Sequence, residues 1–245
     1  MAIRPFLAMT AAEIRNTDIL PSKIAWMACH FSPYGKGLSN LPAALPEGSL
    51  LIVDDITPIR GHDPEVITCQ LIQCLDTLRP YGVLLDFQRP DNPEIPELIH
   101  YLSQALPCPL AVSDTYGSIH SLPVFLPPVP PSVPLQEQLS GWKGREIWLD
   151  ISTWGETRIL TEEGCSASLL SPPEFPEAGF KDELLHCHYK AEKAPQNVRF
   201  CLWRTAEDLS ALLEEAEQAG TVQAVGLYQE FKPQKEIQAG TGSGL

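Results

Sequence analysis

The sequence predicts an α/β fold, a somewhat irregular (β/α)8 barrel with a small antiparallel β insert, and three observations support this class. The strand-like segments are mostly continuous apolar runs, which are typical of a parallel sheet buried on both faces. Helical patterns alternate with these segments, as they do in repeated βαβ units. Polar residues collect at the C-terminal ends of the strands, where α/β folds bind ligands. The 245 residues, 44% of them hydrophobic, are enough for a single barrel domain spanning 1–245.

Eight segments are predicted to form the barrel strands, and in chain order they are 23–31, 48–55, 82–87, 108–114, 122–132, 184–192, 198–204 and 224–231. Residues 144–170 are predicted to form the insert, because apolar and polar residues alternate there and place Ile147, Leu149 and Ile151 on one parity. Residues 234–245 are predicted to be a flexible tail, because they offer no core to bury.

Capping signals place the helices between these strands. A helix is predicted over 61–80, with Asp63 as its N-cap, and another over 92–106. Near the C-terminus, Thr205 and Asp208 have the spacing of a capping box, and an amphipathic helix is predicted to follow them.

The composition excludes several classes of partner. A formal net charge of −14 repels phosphate backbones and anionic lipid, so neither nucleic-acid binding nor membrane docking is expected. The N-terminal residues lack the long apolar run of a signal peptide, and the expected location is the cytoplasm. The seven cysteines are odd in number and include no CxxC pair, which fits reduced core thiols. No cofactor is predicted, and the sequence does not determine the oligomeric state.

One short segment, YGVLLDFQ at 81–88, raises a question about burial. Asp86 interrupts an apolar strand, and an unpaired polar group buried in such a place costs about 2–7 kcal/mol. Because side chains in a strand alternate between its faces, Leu84, Asp86 and Gln88 are expected to point together into the mouth of the barrel.

This segment resembles the signature strand of family 18 glycoside hydrolases, the chitinase-like TIM barrels, which reads D-G-x-D-x-D-x-E. Gly82 and Asp86 match the glycine and the third aspartate. Tyr81, Leu84 and Gln88 stand where the family has its first Asp, its second Asp and its Glu. In the family the Glu is the general acid, and the retained Asp orients the acetamido group of the substrate. The match covers eight residues of the third predicted strand.

The departure at position 88 changes the chemistry that the resemblance implies. An amide cannot donate a proton near neutral pH, whereas general acid catalysis needs a group that titrates near the working pH. The resemblance therefore implies a TIM-like barrel that binds a glycan, such as an N-acetylated amino sugar, without the usual chitinase catalysis. Asp86 and Glu230 are the two candidates for any catalytic role, with Glu230 as the replacement acid.

Further candidates for ligand binding lie at or near predicted strand ends, and together with Gln88 they are Asp54, Asp55, Asp114, Tyr116, Lys190 and Tyr228. Of Asp54 and Asp55, one is expected to face inward. Lys190 could form a Schiff base if buried, although an ion pair with Asp86, Asp114 or Glu192 is preferred. The nearby histidines at 186 and 188 lack a convincing third ligand, so no metal is predicted.

Three functional hypotheses remain open at this point. The first is the altered barrel that binds a glycan. The second is an active hydrolase whose acids come from the set Asp54, Asp86, Asp114 and Glu230. The third is a scaffold or partner-binding protein whose barrel mouth is vestigial. The missing acid at position 88 favours the first and third hypotheses over the second.

Overall fold

A computed structural model describes residues 3–119 and 121–231 of the chain. Its strands are β1 (Phe6–Met9), β2 (Ile24–Phe31), β3 (Leu38–Ser39), β4 (Leu50–Asp54), β5 (Gly82–Asp86), β6 (Leu110–Ser113), β7 (Val124–Leu126), β8 (Ile147–Ile151), β9 (Gly155–Thr161), β10 (Gly164–Leu170), β11 (Phe180–Asp182), β12 (Cys187–Ala194), β13 (Asn197–Trp203) and β14 (Thr221–Leu227). Its α-helices are α1 (Ala11–Asn16), α2 (Pro64–Leu78), α3 (Glu94–Ala105), α4 (Asp114–Gly117), α5 (Leu135–Leu139), α6 (Ala206–Gln218) and α7 (Tyr228–Phe231).

Eight parallel strands form a closed barrel, in the order β1, β2, β4, β5, β6, β7, β8 and β14. The barrel closes because β1 pairs in parallel with both β14 and β2. The two-residue strand β3 adds an antiparallel pairing at the end of β2. The predicted α/β barrel is therefore confirmed.

Side chains alternate along each barrel strand, so that one set points into the barrel and the other points outward. The barrel interior is filled by a cluster that includes Phe6, Leu84, Phe125 and Trp148, and the Trp148 side chain is only 1% exposed. The opposite parity of each strand packs outward against the helices. Both faces are apolar, which is why most of these strands read as continuous apolar runs.

A second, antiparallel sheet is inserted between β8 and α6, with the strand order β10, β9, β13, β12 and β11. Arg204 follows β13 and is buried, with 5% of its surface exposed. Its guanidinium donates to the carbonyl oxygens of His186, at 3.1 Å, and Pro130, at 3.3 Å, and also to that of Val129 at 2.5 Å. These hydrogen bonds join the second sheet to the segment that follows β7.

The structure corrects several strand assignments. The short strand Phe6–Met9 was not predicted and is the first barrel strand, so the signature segment forms the fourth barrel strand and not the third. Residues 147–151 form a parallel barrel strand, although 144–170 was predicted to be an antiparallel insert. Residues 184–192 and 198–204 were predicted as barrel strands, but β12 and β13 belong to the second sheet.

Two of these errors follow from where polar and buried residues lie along each strand. Asp150 faces the polar mouth, so the end of β8 alternates like a half-exposed strand. Conversely, β13 ends in three buried residues, Cys201, Leu202 and Trp203, and this gives it the apolar run of a barrel strand. The predicted tail, 234–245, lies outside the described residues.

The predicted helix signals agree with the structure. Asp63 caps α2 by accepting a hydrogen bond from the Glu65 N–H, and Thr205 and Asp208 form the capping box of α6. Asp208 Oδ2 also lies 2.9 Å from His188 Nδ1, and His186 Nε2 lies 2.7 Å from Glu215 Oε2. The two histidines weighed as metal ligands therefore connect the second sheet to α6. None of the helices described here is long and apolar enough to cross a membrane.

Close backbone approach explains the glycine in the signature strand. A Cβ atom at Gly82 would lie 2.4 Å from the carbonyl oxygen of Pro109, ahead of the neighbouring strand β6. Gly82→Ala should therefore push two barrel strands apart and lower the free energy of unfolding by about 1–3 kcal/mol, measured by urea denaturation. Gly141→Ala is the matched control, because a Cβ atom there meets nothing within 4 Å. Equal stabilities for the two variants would contradict this reading of Gly82.

Candidate functional site

The C-terminal ends of the barrel strands surround a cavity of about 370 Å³, which we call the mouth pocket. Its floor is apolar and includes Met27, Leu84 and Phe125. Its polar groups come from four carboxylates, one amide and one guanidinium, and they are Asp54, Asp55, Asp86, Asp150, Gln88 and Arg89. The pocket thus combines an apolar floor with a ring of acids at the end of a barrel where (β/α)8 proteins carry their active sites.

Three neighbouring strands place a histidine and two acids in one row. The strand register pairs His30 with Asp54, and Asp54 with Asp86. His30 Nδ1 lies 2.7 Å from Asp54 Oδ1, and Asp54 also accepts a hydrogen bond from the Ile56 N–H at 3.0 Å. Asp54 is therefore the inward member of the Asp54–Asp55 pair, and its carboxylate is engaged by His30 and by the Ile56 N–H.

Asp86 and Gln88 both line the mouth pocket, as expected from their spacing. Gln88 Nε2 donates to Asp86 Oδ1 at 2.5 Å. Burial raises the pKa of Asp86; the hydrogen bond from Gln88 opposes this effect, and the negative charges of neighbouring acids such as Asp54 reinforce it. The amide thus holds the orientation of the carboxylate and leaves its second oxygen available to a ligand in the pocket.

Asp55, unlike Asp54, binds backbone groups of the turn that follows β5. Its side chain is 4% exposed and accepts hydrogen bonds from the backbone N–H groups of Gln88, at 3.0 Å, and Arg89, at 2.8 Å. Arg89 returns a hydrogen bond from Nη2 to the Ile56 carbonyl at 2.7 Å. Asp55 therefore fixes the turn that positions Gln88, and we assign it a structural role at the edge of the pocket.

Asp150 is the site residue that sequence reasoning missed. It lies on β8 and lines the mouth pocket. Burial raises the pKa of its carboxyl to about 7, and the negative charges of Asp86 and Glu230 add to the shift. The signal was present in the sequence, because IWLDI ends an apolar run with an aspartate as LLIVD and GVLLD do. It was overlooked because the segment was assigned to the insert.

Two other predicted residues lie beside the mouth pocket without lining it. Asp114 begins α4, and its Oδ1 accepts the Thr115 N–H at 2.9 Å, while its charge helps to raise the pKa of Asp86. Tyr116 is buried in the outer core, and its hydroxyl donates to the Arg89 carbonyl. Tyr116 thus stabilises the turn after β5, and its ring is not available to stack on a ligand.

Three more predicted residues are not brought to the mouth pocket. The Tyr228 hydroxyl lies 3.5 Å from Thr17 Oγ1 near the end of α1. Glu230 Oε2 accepts hydrogen bonds from Ser152 Oγ and the Thr153 N–H, both at 2.7 Å, so it holds the loop after β8. Lys190, which was considered as a lysine buried in the barrel, is instead exposed on β12.

The position of Lys190 follows from the sheet to which its strand belongs. Because β12 lies in the second sheet, the Lys190 side chain faces solvent, where its Nζ lies 3.4 Å from Glu192 Oε1. This is the ion pair preferred on sequence grounds. The Schiff-base role is incompatible with that exposed, charge-paired environment.

A second cavity, of about 580 Å³, adjoins the mouth pocket and shares Asp150 and Leu227 with it. We call it the apolar groove, because its walls are formed mainly by Pro128, Val129, Pro130, Pro131, Trp154 and Leu169. Trp154 is 41% exposed and Leu169 76% exposed. Leu169 comes from the second sheet, which therefore supplies part of one wall of the groove.

Within residues 3–119 and 121–231, no group of three or more His, Cys, Asp or Glu side chains is arranged to hold a metal ion. The side chains that line the mouth pocket offer carboxyl groups, an amide and a guanidinium.

Comparisons with known proteins agree with the architecture. No protein-family model and no curated protein sequence matches the chain. Its structure is similar to the spore cortex-lytic enzyme SleL of Bacillus cereus, with a TM-score of 0.56 and 10% identity over 94% of this chain and 72% of that one. A chitinase of Chromobacterium violaceum matches with a TM-score of 0.55 and 9% identity, over 91% of this chain and 93% of the chitinase.

A third solved structure, the protein YdhD of Bacillus subtilis, described as a sporulation-specific glycosylase, matches with a TM-score of 0.51 and 11% identity, over 82% of this chain and 90% of that one. Identities this low establish a common fold and not a common activity. The chain therefore has a glycoside-hydrolase-like (β/α)8 barrel, and the resemblance to chitinase-like TIM barrels indicated by its signature strand is confirmed at the level of the fold.

The raised pKa of Asp150 can be tested directly. Carboxyl-carbon NMR titration should show Asp150 with a pKa of about 7. In Asp86→Asn that pKa should fall, because a negative charge across the mouth pocket has been removed. Asp76→Asn, on the exposed face of α2, is the matched control and should leave the titration unchanged. A wild-type Asp150 that titrates below about 5, close to an ordinary aspartate, would contradict the environment described here.

Proposed function

We propose that the mouth pocket binds a glycan, such as an oligosaccharide of N-acetylated amino sugars, without the usual chitinase catalysis. The observation that carries this proposal is the Asp86–Gln88 pair. The half-buried Asp86 carboxylate lines the pocket and accepts a hydrogen bond from Gln88. Gln88 is the amide that stands where the resembling family has its general acid. The similarity in fold to proteins described as a chitinase, a glycosylase and a cortex-lytic enzyme supports a sugar as the ligand.

The pocket has the two kinds of contact that an amino sugar needs. Asp86 would accept hydrogen bonds from an acetamido N–H or a ring hydroxyl. Met27 and Phe125 offer apolar surface to an acetyl methyl group or to the face of a sugar ring. Small-molecule sites usually have a mainly apolar surface and a small number of placed polar groups, and the mouth pocket has this composition.

Hydrolysis through a different acid is the second candidate function, and Asp150 favours it. A carboxyl with a pKa of about 7 is half protonated at neutral pH, which suits a general acid. In this scheme Asp150 would give its proton to the leaving glycosidic oxygen while the acetamido oxygen, oriented by Asp86, bonds to the anomeric carbon. Water would then add to that carbon and release the acetamido oxygen, and a proton from the water would return to Asp150. Glu230, the replacement acid expected from the sequence, is less suitable, because its Oε2 accepts hydrogen bonds from Ser152 and Thr153.

Binding is tested by calorimetry with a series of N-acetylglucosamine oligomers. Asp86→Asn should weaken binding by roughly ten- to a hundredfold, because a charge-assisted hydrogen bond contributes about 1.5–3 kcal/mol. The variant keeps the shape of the side chain, so its melting temperature serves to check the fold. Asp76→Asn should bind like the wild type. Equal affinities for Asp86→Asn and wild type would remove Asp86 from the site, and no binding by the wild type would favour a scaffold function.

Catalysis is tested separately with a chromogenic N-acetylglucosamine oligomer between about pH 4 and pH 8. The binding proposal predicts no turnover, because Gln88 has no acidic proton. Turnover that is lost in Asp150→Asn, and that falls in wild type as the pH rises through about 7, would instead establish the second candidate. Turnover that is lost in Gln88→Ala but unaffected by changes to the acids would contradict both accounts.

A further inference from the structure

A separate cavity of about 630 Å³ lies at the rim of the barrel, between the loops that follow β2 and β4. We call it the rim pocket, and its walls are formed by residues 32–36 and by residues of the segment 57–62. The two strands are neighbours in the barrel, and they carry His30 and Asp54 at their C-terminal ends. Ile56 lines the mouth pocket and Thr57 lines the rim pocket, so the two sites are adjacent along one loop.

His62 holds the two loops of the rim pocket together. Its Nδ1 accepts a hydrogen bond from the Arg60 N–H at 2.9 Å, and its Nε2 lies 3.0 Å from the Ser32 carbonyl oxygen. Since one nitrogen accepts and the other donates, this geometry fits the neutral ring with its proton on Nε2. The ring also packs on Phe31, with centroids 5.0 Å apart.

Further hydrogen bonds fix the C-terminal end of the first loop. The Asp63 N–H donates to the Lys36 carbonyl at 2.8 Å. The Leu38 N–H donates to Gln70 Oε1 on α2 at 2.7 Å. The rim pocket is therefore organised before any ligand binds, which reduces the entropy lost on binding.

The charges in the rim pocket are all basic. Lys36 and Arg60 both line it, and none of its described lining residues is an aspartate or a glutamate. Two acids bond to the chain near Arg60 without lining the cavity: Glu94 accepts the Gly61 N–H at 2.8 Å, and Asp63 caps α2. A cavity lined by two cations and no acid is unexpected in a chain with a net charge of −14, and its local field attracts anions.

We infer that the rim pocket binds an oxyanion, a carboxylate or a phosphate monoester, carried by the glycan that occupies the mouth pocket. This inference rests on the proposed function and narrows it to acidic amino-sugar oligosaccharides. The forked guanidinium of Arg60 matches the geometry of either oxyanion, and Lys36 adds a second point charge. Tyr34, whose side chain is 99% exposed, presents an aromatic face to a sugar ring beside the anion.

The test compares matched oligosaccharides by calorimetry at low salt. One probe alternates N-acetylglucosamine with its 3-O-lactyl derivative, whose carboxylate is free, and a second has the same carboxylate converted to the amide. A third probe carries a phosphate monoester in place of the carboxylate. Wild type should bind the carboxylate or the phosphate probe about tenfold more tightly than the amide, and added salt should reduce this preference. The probe that shows the larger gain in affinity over the amide probe identifies whether the pocket prefers a carboxylate or a phosphate.

The variant is Lys36→Gln combined with Arg60→Gln, and it should lose the preference for the anion while binding the amide probe as wild type does. The control, Lys143→Gln combined with Lys193→Gln, removes the same charge from exposed positions away from the barrel mouth and should keep the preference. Equal binding of all three probes by wild type would overturn the inference and leave the glycan proposal standing. No binding of any probe would overturn both. If the control variant also lost its preference for the anionic probes, that preference would depend on net charge alone, and the inference would be overturned.

Discussion

Closure of the barrel by the four-residue strand β1 is the constraint on which the rest of the structure depends. Phe6–Met9 pairs with β14 on one side and with β2 on the other, so no parallel strand is left with an open edge. Closure also fixes the tilt and register of all eight strands. Because their C-terminal ends then form a ring, acids that lie far apart in the sequence, such as Asp54, Asp86 and Asp150, share one pocket.

Several acids cannot be buried in one pocket without compensation, and the structure compensates each in a different way. Asp54 lies against His30, Asp55 accepts two backbone N–H groups, and Asp86 accepts the amide of Gln88. Asp150 faces two further acids, and burial raises the pKa of its carboxyl to about 7. Three of these acids are therefore held by hydrogen bonds, whereas the pKa of the fourth is raised by its surroundings. Acids with perturbed pKa values are often found at functional sites.

The second sheet adds a binding surface next to the barrel mouth. Its connection to the barrel depends on buried polar groups, since Arg204 bonds to carbonyl oxygens on both sides and His188 lies against Asp208. Leu169 of this sheet lines the apolar groove together with Trp154 and the proline-rich segment after β7, and Asp150 lines the same groove. On the opposite side the loops after β2 and β4 contribute cations. The region around the mouth therefore changes from apolar to acidic to basic across the face of the barrel.

The sequence by itself determined the features that depend on neighbouring residues. Apolar runs identified β2, β4 and β5, capping residues placed α2 and α6, and period-two spacing directed Asp86 and Gln88 to one face. Tertiary structure decided which sheet each strand joins. The run IWLDI and the run VRFCLW are similar locally, yet one is a barrel strand and the other lies in the second sheet. The same long-range pairing brought Asp150 into the mouth pocket and left Lys190 facing solvent, because burial is set by which strands meet and not by the residues within a strand.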